Sequence, residues 1–228
     1  MGPENAPVPT GAGTAERAPS PDRSAVAQRA PSPDRAAAPE QAAPHVGVLA
    51  LQGDFAAHAK ILEQLGAEAR EVRVPRDLDG LDALVLPGGE STVMTLGIAR
   101  EGLGDPLREL AAQGTPILGT CAGLIMLDRD HLGVLDIKAE RNAFGRQLRS
   151  FEADLTFDRV PGGPVHAVFI RAPWVAEYGP DVEVLAAVDD HPVAVRQGNV
   201  MAVAFHPELS GETRLHALLL AGIADRSR

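Results

Sequence analysis

From Val46 onward the chain alternates short, unbroken apolar runs with stretches of helical periodicity, and that alternation restricts the architectures open to it. "VGVLAL" (46–51), "DALVLP" (82–87) and "TPILGT" (115–120) carry apolar side chains at consecutive positions. Such runs leave no polar face for solvent and read as strands buried on both sides. Between them, "DFAAHAKILEQLG" (54–66) reads as a helix capped by Asp54 and stopped by Gly66, and "AEAREVRV" (67–74) as a strand. Helical text resumes over 92–113, broken near 102–106, and again from about Ala122. Strands and helices in this order predict an α/β fold with a mostly parallel central sheet flanked by helices.

The second half changes texture. "SFEADLTF" (150–157), "VHAVFI" (165–170), "VEVLAAV" (182–188), "PVAVRQ" (192–197) and "VMAVAF" (200–205) follow one another with few helices between them. "RQGN" (196–199) carries a hairpin turn, and "GETRLHALLLAGIA" (211–224) closes the chain as an amphipathic helix. Antiparallel strands are therefore expected to extend the sheet of a single domain over 46–228. Residues 1–45 are unlike the rest: Ala and Pro dominate, "APSPDR" occurs at 18–23 and 30–35, and aromatic side chains are absent. With so little to bury, this stretch is expected to be a disordered tail. The net charge of −10 argues against nucleic acid or an anionic membrane as partner. The single cysteine allows no internal disulfide, which suits a cytoplasmic protein.

That cysteine sits at an informative corner. Gly119-Thr120-Cys121-Ala122-Gly123 has the form G-x-C-x-G where a buried strand meets a helix. A sharp turn there thrusts the middle side chain off the end of the sheet, and glycines two before and two after permit close approach. The helix that follows aims its N-terminus at the sulfur, which favours thiolate. On spacing alone, a small buried apolar cysteine fits the same corner equally well. A thiolate nucleophile needs a base and something to hold that base. "VAFHPEL" offers both: His206 and Glu208 lie two apart and share one side of an extended chain, so Glu208 orients the ring and His206 moves the proton. Taken alone, H-P-E is more often a surface turn. His45, His58, His131, His166, His191 and His216 lack that arrangement and read as surface or core residues. Clusters with metal-ligand spacing are absent.

"LVLPGGEST" (84–92) ends another buried strand. Its glycines let the backbone approach a ligand and turn an N–H toward an oxyanion. In isolation it also fits an ordinary strand-to-helix turn capped by Ser91 or Thr92.

These three pieces, in this order, resemble class I glutamine amidotransferases with their Cys-His-Glu triad. "LALQGD", "PGGEST", "GTCAGLIML", "RNAFGRQ", "VFIRAPW" and "FHPEL" are similar to the family of glutaminase subunits of pyridoxal 5′-phosphate synthase, over residues 46 to about 223. The resemblance implies that Cys121 attacks the glutamine carboxamide, that His206 serves as acid and base, and that Glu208 orients it. It implies an oxyanion hole from the backbone N–H groups of Gly89 and Ala122. Glutamine would be held around Gly89, Glu90 and Ser91, by Arg141, and by Ile170 with Arg171, while Gln52 borders the site. Outside that context Arg141 and Arg171 read as surface or structural arginines. The resemblance further implies no cofactor, and a separate barrel-shaped synthase subunit as partner and acceptor of the ammonia.

Two departures from the family stand out. The 128–140 connection ("DRDHLGVLDIKAE") is shorter than usual, and the helix after Gln52 carries Ala57-His58 where an acidic residue often precedes the histidine. That helix is expected near the partner interface. An amidotransferase feeding another acceptor and a binding module without turnover are the competing readings.

Overall fold

The computed structural model describes residues 42–141, 150–158 and 160–226. Contacts divide the chain into two units, Met1–Glu40 and Gln41–Arg228, and the first lies outside the described residues together with the tail expectation that falls on it.

The second unit is built on a seven-stranded sheet. In chain order its strands are β1 (His45–Leu49), β2 (Glu68–Val72), β3 (Ala83–Leu86), β4 (Ile117–Thr120), β9 (Glu183–Val188), β10 (His191–Gln197) and β11 (Val200–Val203). Across the sheet they run β2-β1-β3-β4-β11-β10-β9. β1 pairs in parallel with β2 and β3, β3 with β4, and β4 with β11. β10 then pairs antiparallel with β11 and β9, the extension expected from the sequence. The continuous apolar runs of β3, β4 and β11 are buried at every position. β2 lies at the edge, and its Glu68 and Glu71 are exposed. Its mixed composition suits a strand with solvent on one side.

The helices α1 (Phe55–Gln64), α2 (Ser91–Glu101), α3 (Gly104–Ala112), α4 (Ala122–Leu127), α5 (Pro207–Ser210) and α6 (Arg214–Arg226) fill the connections. Asp54 caps α1, accepting from Ala57 N–H at 3.3 Å as its position before the apolar repeat predicts. Gly102, in the left-handed region, ends α2 and separates it from α3. Gly198 and Asn199 make the turn between β10 and β11.

Two expectations are corrected, and one pair of strands is new. The antiparallel strands do not all extend the main sheet: β6 (Ser150–Leu155) and β7 (Val165–Ile170) form a ribbon of their own. Its buried Phe169 stacks on Phe151 and reaches Phe205, so the ribbon docks on the core through aromatic contacts rather than through strand pairing. A second ribbon joins β5 (Ile137–Glu140) to β8 (Trp174–Tyr178), two strands whose short, half-polar texts did not announce them. Finally, Glu90 rather than Ser91 or Thr92 caps α2, its carboxylate accepting from the N–H groups of Thr92 and Val93 at 3.2 and 3.1 Å.

The short 128–140 connection is organised by one buried carboxylate. Asp128 Oδ1 accepts from the backbone N–H groups of Asp130 and His131 at 2.9 and 3.1 Å and approaches His131 Nδ1 at 2.7 Å. Its Oδ2 accepts from Ala139 N–H at 3.2 Å and thereby ties β5 to the end of α4. Asp128→Ala strands these donors, so we expect it to cost about 3 kcal/mol of stability. Urea unfolding of the two proteins measures that loss.

Candidate active site

The parallel strands deliver their loops to one edge of the sheet, where ligands of open α/β sheets gather. Gln52 follows β1, Gly88 to Ser91 follow β3, Cys121 follows β4 and His206 follows β11. Strand order reverses between β1 and β3, so the Gln52 and Gly88–Gly89 loops lie at the switch point.

Cys121 stands at the junction of β4 and α4 with φ 48° and ψ −104°, a strained conformation for a residue with a side chain. Its N–H donates to Val203 O at 2.8 Å, which continues the β4–β11 pairing past the last strand residue. The flanking glycines are explained by what a Cβ would meet. At Gly123 it would strike the Leu86 carbonyl of β3; at Gly119 it would come within 2.9 Å of the Gly123 backbone. The corner forms only because both side chains are missing. A Cβ on Gly88 would lie 2.5 Å from His206 Cε1 and 3.3 Å from Cys121 Cβ, so a third glycine makes room for the imidazole beside the cysteine.

His206 closes β11 and caps α5, with Pro207 at the first helical position and Glu208 in the first turn. The extended-chain geometry expected for His206 and Glu208 is thus replaced by a strand-to-helix corner. The side chains still meet, with His206 Nδ1 2.7 Å from Glu208 Oε1. The backbone of His206 is anchored as well, its N–H donating to Val168 O of β7 at 2.9 Å. Burial disfavours the imidazolium, but hydrogen bonds to Cys121 and Glu208 and the fields of both outweigh it and push His206 up to about 10. Burial likewise opposes charge on Glu208, and the hydrogen bond from His206 overrides it, leaving that carboxyl below its usual range.

In front of this line opens a cleft of about 320 Å³, bordered by Gln52, Gly89, Glu90, Ser91, Arg141, Ile170 and Arg171 with Cys121, Ala122 and His206. That volume lies at the small end of ligand pockets. Every residue singled out from the sequence therefore reaches the cleft except Glu208, which stands behind His206. Gln52 Oε1 accepts from Glu90 N–H at 2.5 Å, and a Cβ on Gly89 would collide with that same oxygen. Glu90 does not offer a free carboxylate to the cleft: it caps α2 and pairs with Arg141 Nη2 at 3.4 Å. Arg171 has φ 46° between Ile170 and Ala172. Of "RNAFGRQ", Arg141 is described and the remaining positions lie outside the described residues. Ile125 and Pro173 also line the cleft; both lie within motifs quoted above, "GTCAGLIML" and "VFIRAPW", but neither was singled out.

The sequence pattern of the SNO glutamine amidotransferase family matches residues 48–224. This chain belongs to that family. It is a glutamine amidotransferase, with the glutaminase activity that membership entails. Among its relatives, the pyridoxal 5′-phosphate synthase subunit PdxT of Mycolicibacterium vanbaalenii is 52% identical over 195 residues, covering 80% of this chain and 100% of that protein. The protein of the same name from Acidothermus cellulolyticus is 52% identical over 199 residues, covering 81% and 96%. A crystal structure described as a glutamine amidotransferase superposes with a TM-score of 0.74 at 48% identity, covering 78% of this chain and 98% of that one. PurLQS from Thermotoga maritima, at 20% identity and a TM-score of 0.62 over 82% and 100% of the two chains, shares the fold.

The raised pKa of His206 makes stability depend on pH in a definite direction. The folded state holds a proton that the unfolded imidazole releases above 6.5, so this contribution is complete below 6.5 and is lost as pH rises through about 10. The stability advantage of the native protein over His206→Asn should therefore shrink between about pH 6 and about pH 9.5. Paired urea titrations at the two pH values check it; a constant difference contradicts the pairing.

Proposed function

We propose that this amidotransferase is the glutaminase subunit of a pyridoxal 5′-phosphate synthase, and that Cys121, His206 and Glu208 are its catalytic triad. The observation that carries the triad is the meeting of the Cys121 sulfur and the His206 imidazole, from the ends of β4 and β11, at one cleft, with His206 held from behind at 2.7 Å by a buried Glu208 of α5. The relatives named PdxT, at 52% identity across nearly their whole length, support the acceptor.

In this reading the Cys121 sulfur attacks the carboxamide carbon of L-glutamine, and the carbonyl oxygen takes the negative charge. The N–H groups of Gly89 and Ala122 hold that oxyanion. His206 gives its proton to the departing nitrogen, the C–N bond breaks, and ammonia leaves a glutamyl thioester. His206 then takes a proton from water, which attacks the thioester and releases glutamate and the sulfur. Glu208 keeps the imidazole aimed at both reacting atoms. Arg141 and Arg171 supply positive charge for the α-carboxylate of glutamine, Ser91 and Ile170 border it, and Glu90 acts by fixing Arg141.

Ammonia then passes to a separate synthase subunit, which builds the cofactor. The glutaminase needs no cofactor of its own for this chemistry. A cytoplasmic setting suits a nucleophile that is the chain's single thiol. Among the described residues, no helix is long and apolar enough to cross a membrane.

Cys121→Ala should abolish glutamine hydrolysis in the complex with the synthase subunit, while synthesis from added ammonium salts persists. Hydrolysis at the native rate by that variant would remove Cys121 from the mechanism. Loss of the ammonium-driven reaction as well would show that the change had damaged the complex.

A further inference from the structure

Two histidines that the sequence assigns to no role lie directly behind the triad. His58 of α1 is fully buried, and so is His216 of α6. His58 Nδ1 lies 2.9 Å from His216 Nε2. His58 Nε2 lies 3.3 Å from Thr120 Oγ1 and 3.4 Å from Glu208 Oε2. Glu208 uses its other oxygen for His206, and Oε2 is buried without a hydrogen bond of ordinary geometry among the described residues. Elements far apart in the chain thus converge on one carboxylate: α5 carries it, α1 faces it, and α6 and β4 support α1.

Proton placement in this cluster follows from charge. With both rings neutral, the shared contact allows two arrangements. In the first, His216 Nε2–H donates to His58 Nδ1, and His58 Nε2–H points between Thr120 Oγ1 and Glu208 Oε2. The atom left over is His216 Nδ1, a bare lone pair, and that atom has no hydrogen-bond partner among the described residues. In the second, every proton is reversed. The His58 Nε2 lone pair can then accept from the Thr120 hydroxyl but still faces the carboxylate, and His216 Nδ1–H is aimed at the Glu212 carbonyl, which is close enough to favour the charged ring but out of hydrogen-bond geometry. A lone pair against an anion in a dry interior is repulsive, so the first arrangement wins.

Burial also keeps both rings neutral. It depresses His58 despite the opposing fields of Glu208 and Asp54, with His206 adding to the depression. It depresses His216 to about 3, with the His58 field adding to it and Glu208 and Glu212 opposing it. The pair can therefore donate an N–H without placing a second cation beside His206.

We propose that His58 is a positioning residue of the glutaminase reaction: backed by His216, it turns Nε2–H toward the distal oxygen of Glu208, 3.4 Å away, and so steadies the carboxylate that aims His206. The proposal rests on Glu208 being the group that orients His206. A carboxylate held at one oxygen swings about its last torsion; an N–H facing the other oxygen restrains that swing. His58 touches neither substrate nor sulfur, so its loss acts on turnover rather than on glutamine binding.

The test has two parts. Nitrogen-15 NMR of the histidine rings in the full chain should show His58 and His216 neutral and protonated at Nε2; an Nδ1–H tautomer or a charged ring at His58 overturns the proposal. In the complex with the synthase subunit, His58→Leu should lower glutaminase kcat ~10-fold or more, as loss of outer partners commonly does. The KM for glutamine should stay within about twofold, and the acid limb of the kcat profile should move to higher pH because Glu208 has lost a donor. His58→Gln, which restores an N–H, should recover most of the rate. Native kcat in His58→Leu, or equal losses in both variants with an unmoved acid limb, overturns the proposal. Should His58→Leu fail to fold, His58→Gln and the ring tautomers decide: a native-like rate with the expected tautomers supports it, and any other result overturns it. Glu208→Gln in the same assay separates the two levels. If it is inactive while His58→Leu is native, this proposal alone fails; if Glu208→Gln is itself fully active, the triad reading fails with it.

Discussion

The structure depends on one unfavourable piece of backbone. Cys121 holds φ 48° and ψ −104°, a conformation an L-residue adopts only when its surroundings leave no alternative. Those surroundings are the Leu86 carbonyl of β3, which occupies the space a side chain at Gly123 would need, and the contact of Gly119 with the Gly123 backbone. The bond from Cys121 N–H to Val203 O clamps the same residue from the β11 side. Strain at the corner is thus offset by the burial of β3, β4 and β11, the most apolar part of the sheet. Loosening any of these contacts would let the cysteine relax away from the cleft.

Electrostatics builds outward from that corner in layers. The sulfur meets an imidazole, the imidazole a carboxylate, and the carboxylate a second imidazole, each less exposed than a surface ion pair. Burying Glu208 as an anion is costly by itself. It stays ionised because His206 is in direct contact on one side and His58 faces it on the other. The arginines on the other side of the cleft are of a different kind: Arg141 is half exposed and shares Glu90 with the cap of α2, an arrangement suited to a small charged ligand.

Much of this was legible before the fold was known. Unbroken apolar runs marked β1, β3, β4 and β11 because only a strand covered on both faces can dispense with polar positions. G-x-C-x-G and P-G-G-E were legible because close backbone approach demands glycine. The rest was hidden for physical reasons. Among the described residues β5 and β8 pair only with each other, so half of each faces solvent and their texts look like loops. Pro207 starts a helical turn at its first position, and it turned the expected extended H-P-E into a corner. Glu90 caps α2 from a motif that also reads as a binding loop. His58 and His216 lie 158 positions apart, so their contact belongs to tertiary structure and has no local signature.

Covalent trapping of the nucleophile tests the central claim most directly. An electrophile shaped like glutamine, with a leaving group at the carboxamide carbon, would be added to the complex with the synthase subunit and the protein weighed by mass spectrometry. The account predicts one adduct per chain, mapped to Cys121, suppressed by excess glutamine and slowed sharply in His206→Asn. Failure of Cys121 to react, or labelling that ignores both glutamine and His206, would contradict it.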